Sequence, residues 1–95
     1  MEKGRNMEST QTRVAVISII VEEQEQVQAL NEILHSYSSY IIGRMGIPYR
    51  EKGISLISIA VDAPQDITSA LSGKIGRLSG VTSKAVYAGT GPSAK

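Results

Sequence analysis

The residue types best suited to binding a small molecule are concentrated in the stretch 40–52. Four of them are predicted to form a ligand site: Arg44, Gly46, Tyr49 and Arg50. Arginine offers forked N–H donors to a carboxylate or phosphate, glycine lets a ligand approach the backbone, and tyrosine adds a flat apolar wall. We therefore predict that a small anionic metabolite binds here, shared between subunits. The alternative is an interface salt bridge from Arg44 to Glu51 or to another acid. Strict alternation along a strand would give Arg44 three neighbours on one face: Tyr40, Ile42 and Gly46.

Other catalytic or metal-binding chemistry has little support in this sequence. It contains one histidine, His35, and no cysteine, which excludes disulfides, thiolate sites and a Cys nucleophile. One imidazole does not hold a metal ion, so we predict no metal, no cofactor and no catalytic residues. The run Gly73-Lys74-Ile75-Gly76 resembles a fragment of a phosphate-binding loop, but it lacks the full pattern and the preceding strand. Close packing of a helix on a sheet is the preferred explanation of its glycines.

The elements that must position these residues follow in the order β-α-β-β-α-β. Runs rich in β-branched residues and a looser, glycine-containing run predict strands at 13–21, 40–49, 54–61 and 81–88. Apolar spacings of three and four predict one helix over 24–38 and a second that begins at Asp62 or Pro64 and ends at Gly80. This order predicts an α+β, ferredoxin-like fold: a four-stranded antiparallel sheet, order 4-1-3-2, with both helices on one face. We expect residues 1–12 to form a disordered arm, 13–88 the domain and 89–95 a flexible tail.

The two central strands of this predicted sheet are apolar on both faces. A sheet that is covered on one side should alternate apolar and polar residues. We assign the face that contains Ile17 and Ile57 to the helices. The opposite face is then predicted to be an oligomer interface, formed by Val14, Val16, Ile20, Ile54, Leu56 and Ala60. Left in water, these residues would make a larger apolar patch than monomers usually expose, so we predict a homodimer or homotetramer.

The charge balance excludes several classes of partner. Ten Lys+Arg against nine Asp+Glu give a formal net charge of +1. A nucleic-acid-binding protein needs a basic face, and a membrane-surface domain needs a polybasic one, so neither partner is expected. Without an apolar run of about 18 residues or an apolar leader, we expect the protein in the cytoplasm.

Two stretches of the chain resemble a known family. The runs Arg44–Asp62 (RMGIPYREKGISLISIAVD) and Ala70–Lys84 (ALSGKIGRLSGVTSK) resemble the iron-only hydrogenase system regulators. That family is similar in fold to ACT domains and to the C-terminal sensing domain of the nickel-responsive repressor. The resemblance implies an oligomeric regulatory domain that senses a small ligand and has a possible protein partner in the hydrogenase system. The nickel site is not implied, because that metal needs several His and usually a Cys. The arm of residues 1–12 is too short for a helix-turn-helix, so we expect regulation without a DNA-binding domain of its own.

Two other functions remain open at this point. The first is a structural protein–protein adaptor that oligomerises but responds to no metabolite. The second, less favoured, is an acylphosphatase-like enzyme, which would need an anion-binding loop after the first strand where Glu22 and Glu23 stand. RNA-recognition motifs are excluded because the central strands have no aromatic residues. Metal chaperones of this fold are also excluded, because they need a Cys pair.

Overall fold

The computed structural model describes residues 11–89, so most of the predicted arm and tail lie outside the described residues. Six main elements are present: strands β1 (Arg13–Val21), β2 (Ile41–Tyr49), β3 (Ile54–Ala63) and β4 (Val81–Tyr87), and helices α1 (Val27–Ser36) and α2 (Gln65–Gly76). Short 3-10 turns at Gln24–Gln26, Ser38–Tyr40 and Arg50–Lys52 connect them. The order β-α-β-β-α-β agrees with the sequence prediction.

The four strands form one antiparallel sheet in the order β2-β3-β1-β4. This is the predicted order 4-1-3-2 read from the other edge, and with two helices it makes an α+β, ferredoxin-like arrangement. The β1–β3 ladder pairs Arg13 with Ala63 and Val21 with Ser55. The predicted third strand stopped at Val61, but it continues to Ala63 because β1 offers pairing partners up to Arg13.

Burial alternates strictly along β1, which shows which face of the sheet the helices cover. Ala15, Ile17, Ile19 and Val21 are at most 1% exposed, whereas the residues between them are exposed. The buried residues join helix residues in a single core, whose members include Leu30, Leu34, Ile59, Val61, Leu71 and Ile75. The assignment of the Ile17 face to the helices is therefore confirmed. Burial of aliphatic side chains of this size, at about 1.5–3 kcal/mol each, supplies most of the stabilisation.

Both helices are shorter than predicted. The chain passes through the 3-10 turn Gln24–Gln26 before α1 begins at Val27. Helix α2 ends at Gly76, four residues before the predicted cap Gly80, because the bonds Leu78 N–H to Ile75 O and Val81 N–H to Leu78 O tighten the chain into turns. Gly80 still has the left-handed backbone expected of it, with φ of 68°, but it leads the turn into β4 instead of capping the helix.

The close-packing explanation of the glycines in α2 is wrong for Gly73. A Cβ placed on Gly73 would have no heavy atom within 4 Å, and one on Gly76 would make an ordinary 3.8 Å contact with Ser83. The phosphate-loop alternative also fails, because Gly73 lies inside a regular helix whose backbone N–H groups are already paired. Nothing in the described structure explains why position 73 is a glycine.

The loop between β1 and α1 is tied to the turn before β4. Glu22 N–H donates to Gly80 O at 2.7 Å, and Ser79 Oγ donates to Glu23 Oε1 at 3.0 Å. Glu23 is half-buried and accepts this hydrogen bond. With carboxylates in this position, the loop is unsuited to binding a phosphate.

Candidate functional site

A β-bulge near the start of β2 decides which way Arg44 points. Ile41 lies opposite Val61 and Gly43 lies opposite the very next residue, Ala60, so that Ile42 is an extra residue in the ladder. An inserted residue of this kind reverses the alternation beyond it. Arg44 consequently lies opposite the buried Ile59, on the helix face of the sheet.

The bulge corrects the predicted neighbours of Arg44. Gly46 does share its face, since it lies opposite Ile57. Ile42 is the bulged residue, and Tyr40 belongs to the 3-10 turn that precedes the strand. A strictly alternating strand was the wrong assumption. Gly43, beside the bulge, was the sequence signal for the exception, because a glycine inside a strand often marks a bulge, but Gly46 lies in the same strand without one.

Arg44 lies in a groove between β2 and α1. Its Nη2 donates a hydrogen bond to Asn31 Oδ1, a neutral amide, at 3.2 Å. The alternative of a salt bridge across an interface stays a prediction. The groove has a volume of about 310 Å³ and is lined by Asn31, Leu34, His35, Ser38, Ile41 and Arg44. The buried Leu34 and the half-buried Ile41 form its apolar part, and the other four residues bring polar groups.

Tyr49 and Arg50 do not join this groove. Tyr49 lies opposite Ile54, on the sheet face that the helices leave open, and its hydroxyl donates to Glu51 Oε1 at 2.8 Å. Arg50 belongs to the 3-10 turn after β2. The four predicted site residues are therefore split: Arg44 and Gly46 share the helix face of β2, while Tyr49 is on the other face and Arg50 is at the far end of the strand.

Sequence reasoning missed three polar residues of the groove: Asn31, His35 and Ser38. Asn31 and His35 are one turn apart on α1, a spacing that places two side chains on the same helix face. This i, i+4 pair was visible in the sequence. Its relation to Arg44 was not, because that depends on the bulge in β2.

The second candidate surface is the face of the sheet that no helix covers, which we call the open face. Val14, Ile20, Met45 and Leu56 on this face are 44%, 41%, 65% and 37% exposed. The predicted interface residues Val14, Val16, Ile20 and Leu56 are all exposed, and Ile54 and Ala60 are half-buried. Within the described chain nothing covers this apolar surface.

The open face has a polar row between its apolar rows. The ladders place four residues side by side across the sheet: Met45, Ser58, Ser18 and Lys84. The row above it is mostly apolar, with Ile47, Leu56, Ile20 and Thr82, and so is the row below, with Gly43, Ala60, Val16 and Val86. A shallow depression of about 280 Å³ lies over the upper rows near Ser18 and Leu56. Along the four strands, the charged residues on this face are Lys84 and Asp62, which balance.

Within residues 11–89 no three His, Cys, Asp or Glu side chains come together as a metal site would require. Neither helix of this part is long and apolar enough to cross a membrane.

Comparison with known proteins assigns the chain to a family. Residues 13–85 match the TM1266-like family, described provisionally as iron-only hydrogenase system regulators. The chain belongs to this family. The structure of the uncharacterized protein TM1266 from Thermotoga maritima is similar, with 35% sequence identity, a TM-score of 0.77, and coverage of 80% of this chain and 96% of the other. No curated protein matches the chain.

A second solved structure is similar in fold alone. A formyltetrahydrofolate deformylase from Pseudomonas putida superposes with a TM-score of 0.57 at 10% identity, over 77% of this chain and 28% of the enzyme. At that identity the similarity shows a shared βαββαβ fold and does not extend to binding or catalytic residues.

Proposed function

We propose that this regulator-family chain is a self-associating, ligand-sensing domain of the iron-only hydrogenase system, joined to a second copy through its open face. The observation that carries the proposal is the exposure of apolar side chains on the central strands, at Val14, Val16, Ile20 and Leu56. Central strands that are apolar on both faces are typical of sheets that are covered on both sides. In this chain both helices lie on one side.

A second copy fits the open face better than a partner of strong charge. Lys84 and Asp62 give the strands of this face no net charge, so that two copies related by a two-fold axis would not repel each other. The polar row formed by Ser18, Ser58 and Lys84 would have to be paired across the interface, because buried polar groups without partners are costly. That requirement favours one register of the two sheets.

Ligand sensing completes the proposed regulatory role. The arginine on the helix face of β2, Arg44, is the described residue that best supports an anion site, because its guanidinium opens into a groove. A ligand that binds the assembled form more tightly than the separated chains would shift the oligomer equilibrium by mass action. A protein partner of the hydrogenase system would then respond to the change in oligomeric state.

Two observations argue against an enzymatic role and against direct contact with DNA. The loop between β1 and α1 contains Glu22 and Glu23, where an acylphosphatase-like enzyme would need a cation, so we propose a non-enzymatic role. A formal net charge of +1 is too small to attract the phosphate backbone of DNA, so we propose regulation without direct nucleic-acid contact.

Two measurements test this function. Multi-angle light scattering at micromolar concentration should give twice or four times the chain mass; a single-chain mass with the open face unoccupied would refute self-association. A thermal-shift screen with small carboxylates and phosphates should then raise the melting temperature for at least one compound. An oligomer that responds to none of them would be an adaptor and not a sensor.

A further inference from the structure

The groove between α1 and β2 combines four hydrogen-bonding side chains at one place. Arg44 comes from β2, Asn31 and His35 from successive turns of α1, and Ser38 from the 3-10 turn after the helix. These three elements are separate in the chain. Their side chains meet because the bulge at Ile42 turns Arg44 toward the helix. Bulges commonly re-aim side chains beside functional sites.

The hydrogen bond from Arg44 to Asn31 orients the guanidinium and leaves it available. Arginine has five N–H donors, and Nη2 uses one of them on Asn31 Oδ1. The remaining donors form the planar fork that suits a carboxylate or a phosphate. The imidazole of His35 offers an N–H in either protonation state, and the hydroxyl of Ser38 can also donate.

The charges around the groove favour a ligand with a single anionic group. The groove has a volume of about 310 Å³ and is open on one side, so its volume does not limit the length of the ligand. A shallower concavity continues along α1 past Asn31 and His35, and Glu32 lies on its wall. That carboxylate would repel a polyanion, so a nucleic acid backbone is not accommodated, whereas one carboxylate or phosphate group beside Arg44 is.

We propose that the α1–β2 groove is an anion site in which Arg44, His35 and Ser38 bind a small carboxylate- or phosphate-bearing molecule and Asn31 positions Arg44. The apolar walls at Leu34 and Ile41 would contact the carbon skeleton of that molecule. This inference rests on the sensing part of the proposed function and replaces Tyr49 and Arg50 by residues of α1 and of the 3-10 turn that follows it. It does not require the open face to be occupied, so the two ideas can fail separately.

The test is a backbone-amide NMR titration of the full chain with sodium acetate and with inorganic phosphate, at ionic strength held constant with sodium chloride. We expect saturable shift changes confined to 31–38 and 41–44. The probe with the lower Kd identifies the preferred group, carboxylate or phosphate. Changes of the same size around Arg50 and Lys52, or none beyond the chloride control, would overturn the proposal.

Three substitutions separate binding in the groove from general charge effects. Arg44→Gln should weaken binding of the preferred probe about tenfold, the loss of one charge-assisted hydrogen-bond pair at ~1.4 kcal/mol. Arg50→Gln removes the same charge at the end of the same strand and should leave the Kd unchanged. His35→Gln, at an exposed helix position, should also weaken binding and serves if Arg44→Gln fails to fold. Equal affinity in wild type and in a folded Arg44→Gln or His35→Gln would refute the assigned contacts. An unchanged oligomer mass of Arg44→Gln by light scattering would show that the groove and the oligomer interface are separate.

Discussion

Replacement of Leu56 by lysine should dissociate the oligomer while leaving each chain folded. Leu56 lies on the central strand β3, in the row with Ile47 and Ile20 on the open face. It is 37% exposed within its own chain, and this exposed part would be covered by a second copy. The substitution keeps an aliphatic stem that can pack on the neighbours of Leu56, with the ammonium group in water as long as the face is free.

The size of the effect follows from this exposure and from the charge. With complete burial of leucine worth about 1.5–3 kcal/mol, the 37% that is still exposed accounts for roughly 0.6–1.1 kcal/mol per copy. A two-fold interface contains the residue twice, so about 1–2 kcal/mol of apolar stabilisation would be lost per dimer. Desolvation of an ammonium group costs several kcal/mol more. A total loss of about 4 kcal/mol corresponds to a thousandfold increase in Kd.

Sedimentation velocity over a dilution series measures this change directly. Wild type should remain associated at micromolar concentration, and Leu56→Lys should sediment as a single chain. Ser69→Lys adds the same charge at an exposed position of α2 and should sediment like wild type. If folded Leu56→Lys, as judged by its circular dichroism melt, kept the wild-type sedimentation coefficient, the interface would lie elsewhere and the open-face argument would be refuted.

Three further predictions concern stability. Gly53→Ala should lower the free energy of unfolding by about 1–2 kcal/mol, because φ is 67° there although a Cβ would meet nothing within 4 Å. Gly43→Ala, which has the same open space without a positive φ, should change it by less than ~0.5 kcal/mol, and equal urea midpoints for the two would contradict the assigned backbone strain. Ile59→Ala, fully buried opposite Arg44, should cost about 2–5 kcal/mol in chemical denaturation. Removal of divalent metals with a chelator should leave the melting temperature unchanged, and a fall of several degrees would reveal a carboxylate site.

The architecture could be predicted because its determinants are local and repeated along the chain. Runs of β-branched residues in the strands and the spacings of three and four in the helices give the element types, and the order βαββαβ then fixes the sheet. Helix ends were less predictable. The apolar residue Leu78 extended the predicted stripe of α2, but it packs against the core from the turn that follows the helix.

The site was harder to predict because one inserted residue decides it. Arg44 and Tyr49 are five residues apart, so strict alternation already places them on opposite faces of the strand. The bulge at Ile42 decides that Arg44 is the one that faces α1. The sequence mark of the bulge, Gly43, is ambiguous, because Gly46 lies in the same strand without a bulge. The open face, in contrast, was predictable from the sequence, since it depends on the apolar residues of β1 and β3 alone.

A final prediction is that anion binding and self-association are coupled through β2. Arg44 and Met45 are adjacent on this strand and point to opposite faces, one into the groove and the other toward the proposed second copy. Strand β2 is held in the sheet along one side by β3, and all of its residues except Ile41 are exposed. An edge strand of this kind is the element whose position both events can shift. Coupling is reciprocal, so Leu56→Lys should weaken binding of the preferred anion, and that anion should lower the Kd of wild-type association by the same factor. Identical anion affinities in wild type and in Leu56→Lys would show that the groove and the open face act independently.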